Sequence, residues 1–474
     1  MQKIVNNNFK FVVCLDSSSN DYSEHEFLKS NNIDVLVIDH HNAEKVSEYA
    51  CVINNQLCNY PTKSLCGGAM TYKFCCYLDL LIKTSYAINY EDLAAISLIG
   101  DMMELKDFET HYLVKDGIQR ITNEFFKAMI ERQSYKLENN LTPIGIAFYI
   151  VPYINAMTRS GTQEEKMLIF EAMLEWKGKE SLPSTKRGHK GEYETRIEQA
   201  VRTCFNVKNR QKNNQDLSLQ NIENIIQDLN LLDNKILVVP TEQEDVDKNL
   251  AGLIANQLAS RYMRPALVLR RIDHYDEENN SYYITYEGSG RNYGKSKLDN
   301  LRQFCLDTGL VLYAEGHNNA FGLGISAENL EPFTEKTNEL LKDFDTTPCY
   351  LVDLEVPADQ LTSQEVFEIA SNNDIWGQGL DEPLIAITNI RITNNNLRFM
   401  GEKQNTVKFN LPGSNIPIIK FNLTDEEKDS LSPNGGVITL NVIGKCNLNF
   451  YMGNVSAQIL LEDFEVLRQT KWDF

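Results

Sequence analysis

No uninterrupted apolar run of about 18 residues occurs in the chain, so no membrane-spanning helix is predicted and no membrane partner is expected. The first residues, Met-Gln-Lys-Ile-Val-Asn-Asn-Asn, lack the apolar core of a signal peptide, which makes the cytoplasm the expected location. The ten cysteines never form a C-x-x-C pattern. Cys75 and Cys76 are adjacent in an apolar helical stretch, and the thiols read as reduced core residues. Positive charge is short as well: 46 Lys and Arg face 66 Asp and Glu, a net charge of −20. That balance excludes a surface coated with DNA-binding charge. It leaves room for a narrow basic channel, because the local field decides binding. Basic residues do cluster at 186–210, but acids are interleaved there, and a solvated helix face is the expectation.

What is present is an ordinary globular composition, 42% hydrophobic over 474 residues. That length is too great for one core, and several domains are expected. No internal repeat is visible. In the first ~100 residues short apolar runs alternate with helical stretches. Strands are predicted at 11–15, 34–38 and 51–54, and helices at 22–30, 67–84 and 90–99, the pattern of βαβ units and a parallel sheet. A longer helical stretch is predicted over 109–133. The polar segment 176–232 reads as a helical connector. A second α/β pattern restarts with Lys235-Ile-Leu-Val-Val, a helix at 248–262 and a strand at Ala266. From 349 onward short β-like runs dominate, at 350–355, 384–393, 397–400, 406–410, 417–422, 437–444 and 455–466. Turn chemistry at Asn394–Asn396 and Pro433–Gly436 separates them, as in a small all-β barrel or sandwich.

Residues 34–41, Asp-Val-Leu-Val-Ile-Asp-His-His, carry the sharpest chemical signal. A buried-strand run ends in a carboxylate and two imidazoles, and open α/β sheets present functional groups at that carboxyl edge. The run Phe11–Leu15 reads as another buried strand and ends in Asp16. Asp101, after Leu98-Ile99-Gly100, ends a mostly apolar helix, with Gly100 removing a side chain beside the acid. Asp16, Asp39, His40, His41 and Asp101 make a mixed oxygen and nitrogen set suited to Mn, Mg or Zn rather than to a thiolate metal. Two such ions ~4 Å apart can clamp an in-line phosphoryl displacement. Taken singly, a strand-end Asp also suits a helix cap and a Gly-Asp a turn.

Three further clusters are polar. Tyr286-Glu-Gly-Ser-Gly-Arg-Asn292 offers close backbone approach and a bidentate Arg291, or simply a turn with a surface arginine. Glu315-Gly-His-Asn-Asn-Ala-Phe-Gly322 sets His317 after a strand at 309–314, as a phosphate contact beside a helix start or as a core histidine. Asn155 and Arg159 lie four apart, on one face if that segment is helical.

Asp39-His40-His41, with Asp16 upstream and Gly100-Asp101 downstream, resembles the DHH phosphoesterase superfamily. Pro152-x-Ile154-Asn155-Ala156-x-x-Arg159 is similar to the segment closing the catalytic lobe of RecJ-type exonucleases. Gly288-Ser289-x-Arg291 and Gly316-His317-x-x-Ala320-x-Gly322 resemble the motifs of the DHH-associated domain. The C-terminal β region resembles the oligonucleotide-binding barrel of the same nucleases, with Trp376-Gly-Gln-Gly379-x-x-Glu382-Pro383 before its first long strand. The resemblance runs in order over nearly the whole chain.

It implies an α/β protein with two α/β lobes joined by a helical connector, plus a C-terminal all-β OB-like barrel. The catalytic domain would span 1–160, the connector 161–232, the DHH-associated domain 233–345 and the OB-like domain 346–474. The implied activity is a 5′→3′ exonuclease on single-stranded DNA in repair and recombination. Asp16, His40 and Asp101 would be ligands of Mn2+ or Mg2+. His41 would sit beside the metals and the scissile phosphate, and Asp39 would orient or complete the set, so that Asp39 and His41 are the catalytic pair. Asn155 and Arg159 would line the cleft, and Ser289, Arg291 and His317 would contact the nucleic acid. The barrel would grip single strand by stacking and backbone contacts. A single-strand-binding protein is a further implied partner.

The chain departs from that pattern at its front. The family's first metal motif, two aspartates one residue apart on the first strand, does not occur in the fifteen residues before Asp16. A truncated gene, a split protein whose front is a separate chain, or a degenerate copy each account for it, and little nuclease activity is expected from this chain alone. Glu315 and Phe321 stand where the family has glycine and alanine, and Thr158 replaces a glycine, as in a divergent mobile-element or phage copy. Two other readings stay open: a phosphodiesterase for short oligonucleotides or cyclic dinucleotides, which would need no C-terminal barrel, and a catalytically inactive replication scaffold.

Overall fold

A computed structural model of the protein describes residues 1–137, 140–276, 280–393, 395–431, 436–451 and 454–470. Asn394 and Pro433–Gly435 of the two predicted C-terminal turns lie outside these residues. In chain order, β1 (Phe11–Leu15), α1 (Tyr22–Ser30), β2 (Asp34–Asp39) and β3 (Cys51–Asn54) are followed by α2 (Gly67–Ile82) and α3 (Glu91–Gly100). The predicted helix over 109–133 is two helices, Phe108–Gln119 and Glu124–Arg132. The Asp92 carboxylate breaks it by accepting the backbone N–H groups of Thr122 and Asn123, both at 2.8 Å, and the Asn123 side chain then caps the second helix. Next come α4 (Pro143–Tyr149), α5 (Val151–Ser160), the hairpin β4 (Ser181–Pro183) and β5 (Tyr193–Thr195), and α6 (Arg196–Asp228). The connector thus comprises the helices Gln163–Met173 and Glu175–Gly178, the hairpin and a 33-residue helix.

The restart consists of β6 (Leu237–Thr241), α7 (Ala251–Tyr262), β7 (Ala266–Asp276), β8 (Ser281–Arg291), a helix at Leu301–Asp307, β9 (Val311–His317) and β10 (Ala320–Ser326). The C-terminal strands are β11 (Leu354–Pro357), β12 (Leu384–Ile392), β13 (Leu397–Met400), β14 (Thr406–Asn410), β15 (Pro417–Lys420), β16 (Val437–Tyr451) and β17 (Asn454–Thr470).

The chain forms two compact units: residues 1–155, 167–202 and 352–474 make the first, and 156–166 and 203–351 the second. The first unit holds a parallel sheet in the order β1-β2-β3, with Leu15 opposite Ile38 and Asp39 opposite Asn54. Central β2 is buried at Val35, Val37 and Ile38. β1 differs from the buried strand that its apolar run predicts. It is an edge strand, and Phe11, Val13 and Leu15 are 55%, 47% and 50% exposed along one face. Parallel sheets ordinarily cover both faces, and among the described residues nothing pairs with β1's outer edge.

The first unit also carries a seven-stranded sheet in the order β11-β12-β16-β17-β15-β14-β13, with no pairing that closes β11 onto β13 among the described residues. Alternating apolar residues on β12, β14 and β16 build its core, including Ile385, Ile387, Phe409 and Leu440. The helix Ser363–Ala370 covers that core with Val366 and Ala370. The cations of the 186–210 stretch are largely paired: Arg196 with Glu171 and Glu180, both at 2.6 Å, and Arg202 with Glu194 at 2.7 Å. The second unit holds a mixed sheet in the order β6-β7-β8-β10-β9, in which only β6 and β7 are parallel. α7 packs Ile254, Ala255 and Leu258 against Leu237, Val239 and Val268.

Candidate metal centre and anion site

The carboxyl ends of β1 and β2 bring Asp16 and the 39–41 triplet together, because adjacent parallel strands deliver their last residues to the same edge. One ligand-capable atom from each of Asp16, Asp39, His40 and His41 lies within 4.8 Å of the others. His40 Nε2 is 3.2 Å from Asp16 Oδ1 and 3.3 Å from Asp101 Oδ2, so one imidazole nitrogen is flanked by two carboxylates. Asp101 stands at the C-terminal cap of α3. Gly100 is not needed there for space: a β-carbon would meet only Val151 Cγ2, at an ordinary 3.9 Å.

Asp39 has a different role from its neighbours. Its side chain is 1% exposed and fully engaged. Oδ1 accepts the His40 backbone N–H at 2.8 Å and bonds the His41 ring at Nδ1, 2.7 Å away, while Oδ2 accepts the Ser19 N–H at 3.2 Å. Burial pushes the Asp39 carboxyl up, but the hydrogen bonds from His41, Ser19 and the two backbone N–H groups outweigh it and hold it at about 2. The same bond raises His41 above its ordinary value against the opposing effect of burial, helped by the charges of Asp39, Asp16 and Asp101. With Nδ1 committed to Asp39, His41 offers Nε2 as its working atom.

Ser19, Asn54 and Gly67, which the sequence reading missed, complete this arrangement. Asn54 ends β3 as Asp39 ends β2, and its amide donates to the His41 carbonyl at 2.9 Å and to Ser19 Oγ at 2.8 Å. The strand-end rule that singled out Asp39 applies equally to Asn54. Gly67 opens α2 where a β-carbon would overlap the Asp16 carboxylate, so that acid rests against a helix N-terminus. The Gly67-Gly68 pair before an apolar helix was the available signal. Asp16 itself adopts a left-handed φ of 59°, tolerable for aspartate. Two imidazoles, the partly exposed Asp16 and Asp101 carboxylates and the buried Asp39, with no thiolate among them, fit a hard to borderline divalent ion such as Mn2+ or Mg2+.

The second unit contains a set of opposite sign. Ser289 and Arg291 lie on β8, and Arg291 runs against the first turn of α7, where a β-carbon on Gly252 would sit 2.6 Å from its Nη2 and 3.5 Å from Ser289 Oγ. Burial and then the charge of Arg159 lower the pKa of both Arg291 and Lys208. Arg291 thus meets the first turn of α7, and the positive charge of Arg159 acts on both Arg291 and Lys208, a configuration that an anion relieves. Lys208 and Gly252 were not singled out by sequence. Lys208 is one of many cations in its stretch, and only the fold separates it from the paired ones.

Asn155 and Arg159 stand one turn apart in α5. His317 is exposed at the β9–β10 tip, not in a core. It shares a row of the sheet with Arg291, since Ala320 pairs with both, which places the two about 10 Å apart. Glu315 is exposed and shares the next row with Ser289 through Gly322. Phe321 is buried, with its ring against Gly290, and fills the space left by that glycine.

Comparison with known proteins gives consistent results. The RecJ OB domain family matches residues 352–463. The chain is 35% identical over 464 residues to YorK, a protein of the SPβ prophage of Bacillus subtilis named as a single-strand DNA-specific exonuclease, covering 96% of this chain and 78% of that one. It is 23% identical over 471 residues to the single-stranded-DNA-specific exonuclease RecJ of Bacillus subtilis, covering 97% of this chain but 54% of that one. The fold matches a crystal structure of RecJ in complex with Mn2+ from Thermus thermophilus, with a TM-score of 0.71 and 18% identity, over 99% of this chain and 64% of the other. The chain thus spans about two thirds of that structure and about half of the Bacillus RecJ.

Proposed function

The chain belongs to the RecJ-like family of the DHH phosphoesterase superfamily, and on that premise we propose that it is a divalent-metal-dependent 5′→3′ exonuclease on single-stranded DNA, serving repair or recombination. The observation that carries this reading is His40 Nε2, held between the Asp16 and Asp101 carboxylates at the carboxyl edge of a parallel sheet. Asp16, His40 and Asp101 would hold the cation, Mn2+ or Mg2+, which when bound polarises a phosphoryl oxygen and lowers the pKa of a coordinated water. Asp39 fixes the His41 ring, and His41 Nε2 can donate to a phosphate oxygen. Arg159, Ser289, Lys208 and Arg291 would bind a backbone phosphate, with His317 as a flanking contact on the same sheet, and Asn155, in the first unit, would contact the strand separately. The RecJ OB domain match favours a strand of many nucleotides over a dinucleotide substrate.

Cleavage by these 474 residues alone is proposed to be weak, because a two-metal site draws on more carboxylates than Asp16 and Asp101 supply. The unpaired outer edge of β1 suits one further parallel strand, and a strand ending in Asp-x-Asp would place its acids beside Asp16. The test is Mn2+-dependent digestion of a 5′-phosphorylated single strand by the purified chain, alone and with a polypeptide carrying the Asp-x-Asp strand of a RecJ relative. Digestion that appears with the added strand and vanishes in Asp101→Ala supports the proposal. Vigorous digestion by the chain alone removes the need for the strand. No digestion in either case, with no Mn2+ bound, overturns the nuclease reading.

A further inference from the structure

The segment after Asp101 is fastened to the C-terminal β region of the same unit. Leu105 donates its backbone N–H to the Gln378 carbonyl at 2.8 Å, and a β-carbon on Gly377 would lie 2.6 Å from Leu105 Cδ1. This accounts for the Trp376-Gly-Gln-Gly379 motif: its first glycine lets the loop seat on Leu105. Beside the joint opens a cleft of about 380 Å3, walled by Met102, Met103, Ile144 and Phe148 and rimmed by Gln378 and Lys445. Its size falls within the range of small-ligand sites.

Met102, which lines the cleft, directly follows Asp101 in the chain. Phe148 is 70% exposed and Met102 59% exposed, so a ring and a thioether stand free at its mouth. Thioethers and aromatic rings both pack well on flat π-systems. The rim discriminates against phosphate. Asp381 and Glu382 line it, and Lys445 is engaged with Glu382 at 3.3 Å and Glu462 at 3.6 Å. An acidic rim repels a sugar–phosphate backbone and accepts from the N–H donors on base edges.

We infer that this cleft is a nucleobase subsite, which takes one base of a single strand whose backbone passes the metal centre and stacks it on Phe148. The inference rests on the single-strand reading proposed above. The occupant is a base rather than an acidic or phosphorylated peptide, because the rim is acidic and the floor apolar.

The experiment measures binding of a 5′-phosphorylated strand of about 12 nucleotides, a length within the site sizes of single-strand grooves, by fluorescence anisotropy in EDTA, where no cleavage intervenes. An abasic site is scanned through the first six positions, with wild type, Phe148→Ala, Phe148→Trp and Met102→Ala. At one position the abasic site is expected to weaken wild-type binding about tenfold, the scale of one base–aromatic stack. Phe148→Ala is expected to weaken the intact strand by the same factor and to add nothing on the abasic strand. Phe148→Trp keeps the affinity, and Met102→Ala gives a smaller loss at the same position. Abasic and Phe148→Ala penalties that multiply at every position, or a Phe148→Ala variant that binds normally, overturn the subsite while leaving strand binding intact. Wild-type protein with no affinity for the strand overturns the subsite and the nucleic-acid reading together. Because Phe148 is mostly exposed, its replacement leaves thermal unfolding unchanged, which calorimetry on the variants verifies.

Discussion

The two charged clusters are built on opposite plans. Around His40, acids and imidazoles come from the ends of neighbouring elements, and three of the ligand candidates are consecutive residues. Around Arg291, cations come from three distant stretches, at 159, 208 and 291, and meet only through α5, α6 and β8. The first, proposed as a site for cations, is made of groups that hold one another by hydrogen bonds. The second, proposed as a site for anions, is made of groups of like charge. A cluster of mutually bonded residues keeps its geometry when empty, whereas a cluster of like charges is completed by its ligand.

That contrast can be broken by substitution. His40→Ala has the largest expected effect, a loss of at least ~100-fold in Mn2+ affinity by calorimetric titration, since even outer-shell partners of metal ligands are worth about 10–100-fold. Asp39→Asn is expected to cost roughly tenfold in the same titration, because it loosens His41 without removing a flanking carboxylate from His40. Equal losses from both would make Asp39 a direct ligand. On the other side, Arg291→Ala is expected to weaken single-strand binding roughly tenfold and to lower the slope of log K against log salt by about one. An unchanged slope would remove Arg291 from the phosphate contacts.

Smaller effects sharpen the comparison. Gly252→Ala puts a methyl 2.6 Å from the flexible end of Arg291, so affinity should fall several-fold with little change in melting temperature, and the loss should not add to that of Arg291→Ala. The smallest effect concerns Lys208. Its ammonium is lowered first by burial and then by Arg159. Removing a neighbouring positive charge favours the protonated form, so Arg159→Ala should raise the Lys208 pKa toward its ordinary value without reaching it, as read by NMR titration. An unchanged value would place Arg159 and Lys208 outside one another's field.

The same contrast decides how much the sequence disclosed. The convergence of Asp16 with the 39–41 triplet was legible because these residues lie at or just past the ends of elements whose apolar runs are visible, as at Ile38-Asp39. The element boundaries of the first hundred residues follow from the same alternation. β1 was misread as buried because its five residues record apolarity, not whether a neighbour covers them. The helix over 109–133 was misread because the Asp92 side chain, distant in sequence, replaces the backbone bonds at Thr122 and Asn123. Lys208 and Gly252 stayed hidden because like-charge gathering leaves no local pattern, and the helix Ser363–Ala370 because it interrupts a region otherwise rich in strands.

The seating of Gly377 on Leu105 has a mechanical corollary. Three residues separate Leu105 from Asp101, so a pull on the C-terminal sheet is transmitted along a short leash to a carboxylate beside His40. Excising residues 346–474 would therefore do more than reduce grip on a long strand. It would uncover Leu105 and slacken the loop that positions Asp101, and a chain shortened in this way should lose Mn2+ affinity even with no nucleic acid in the tube.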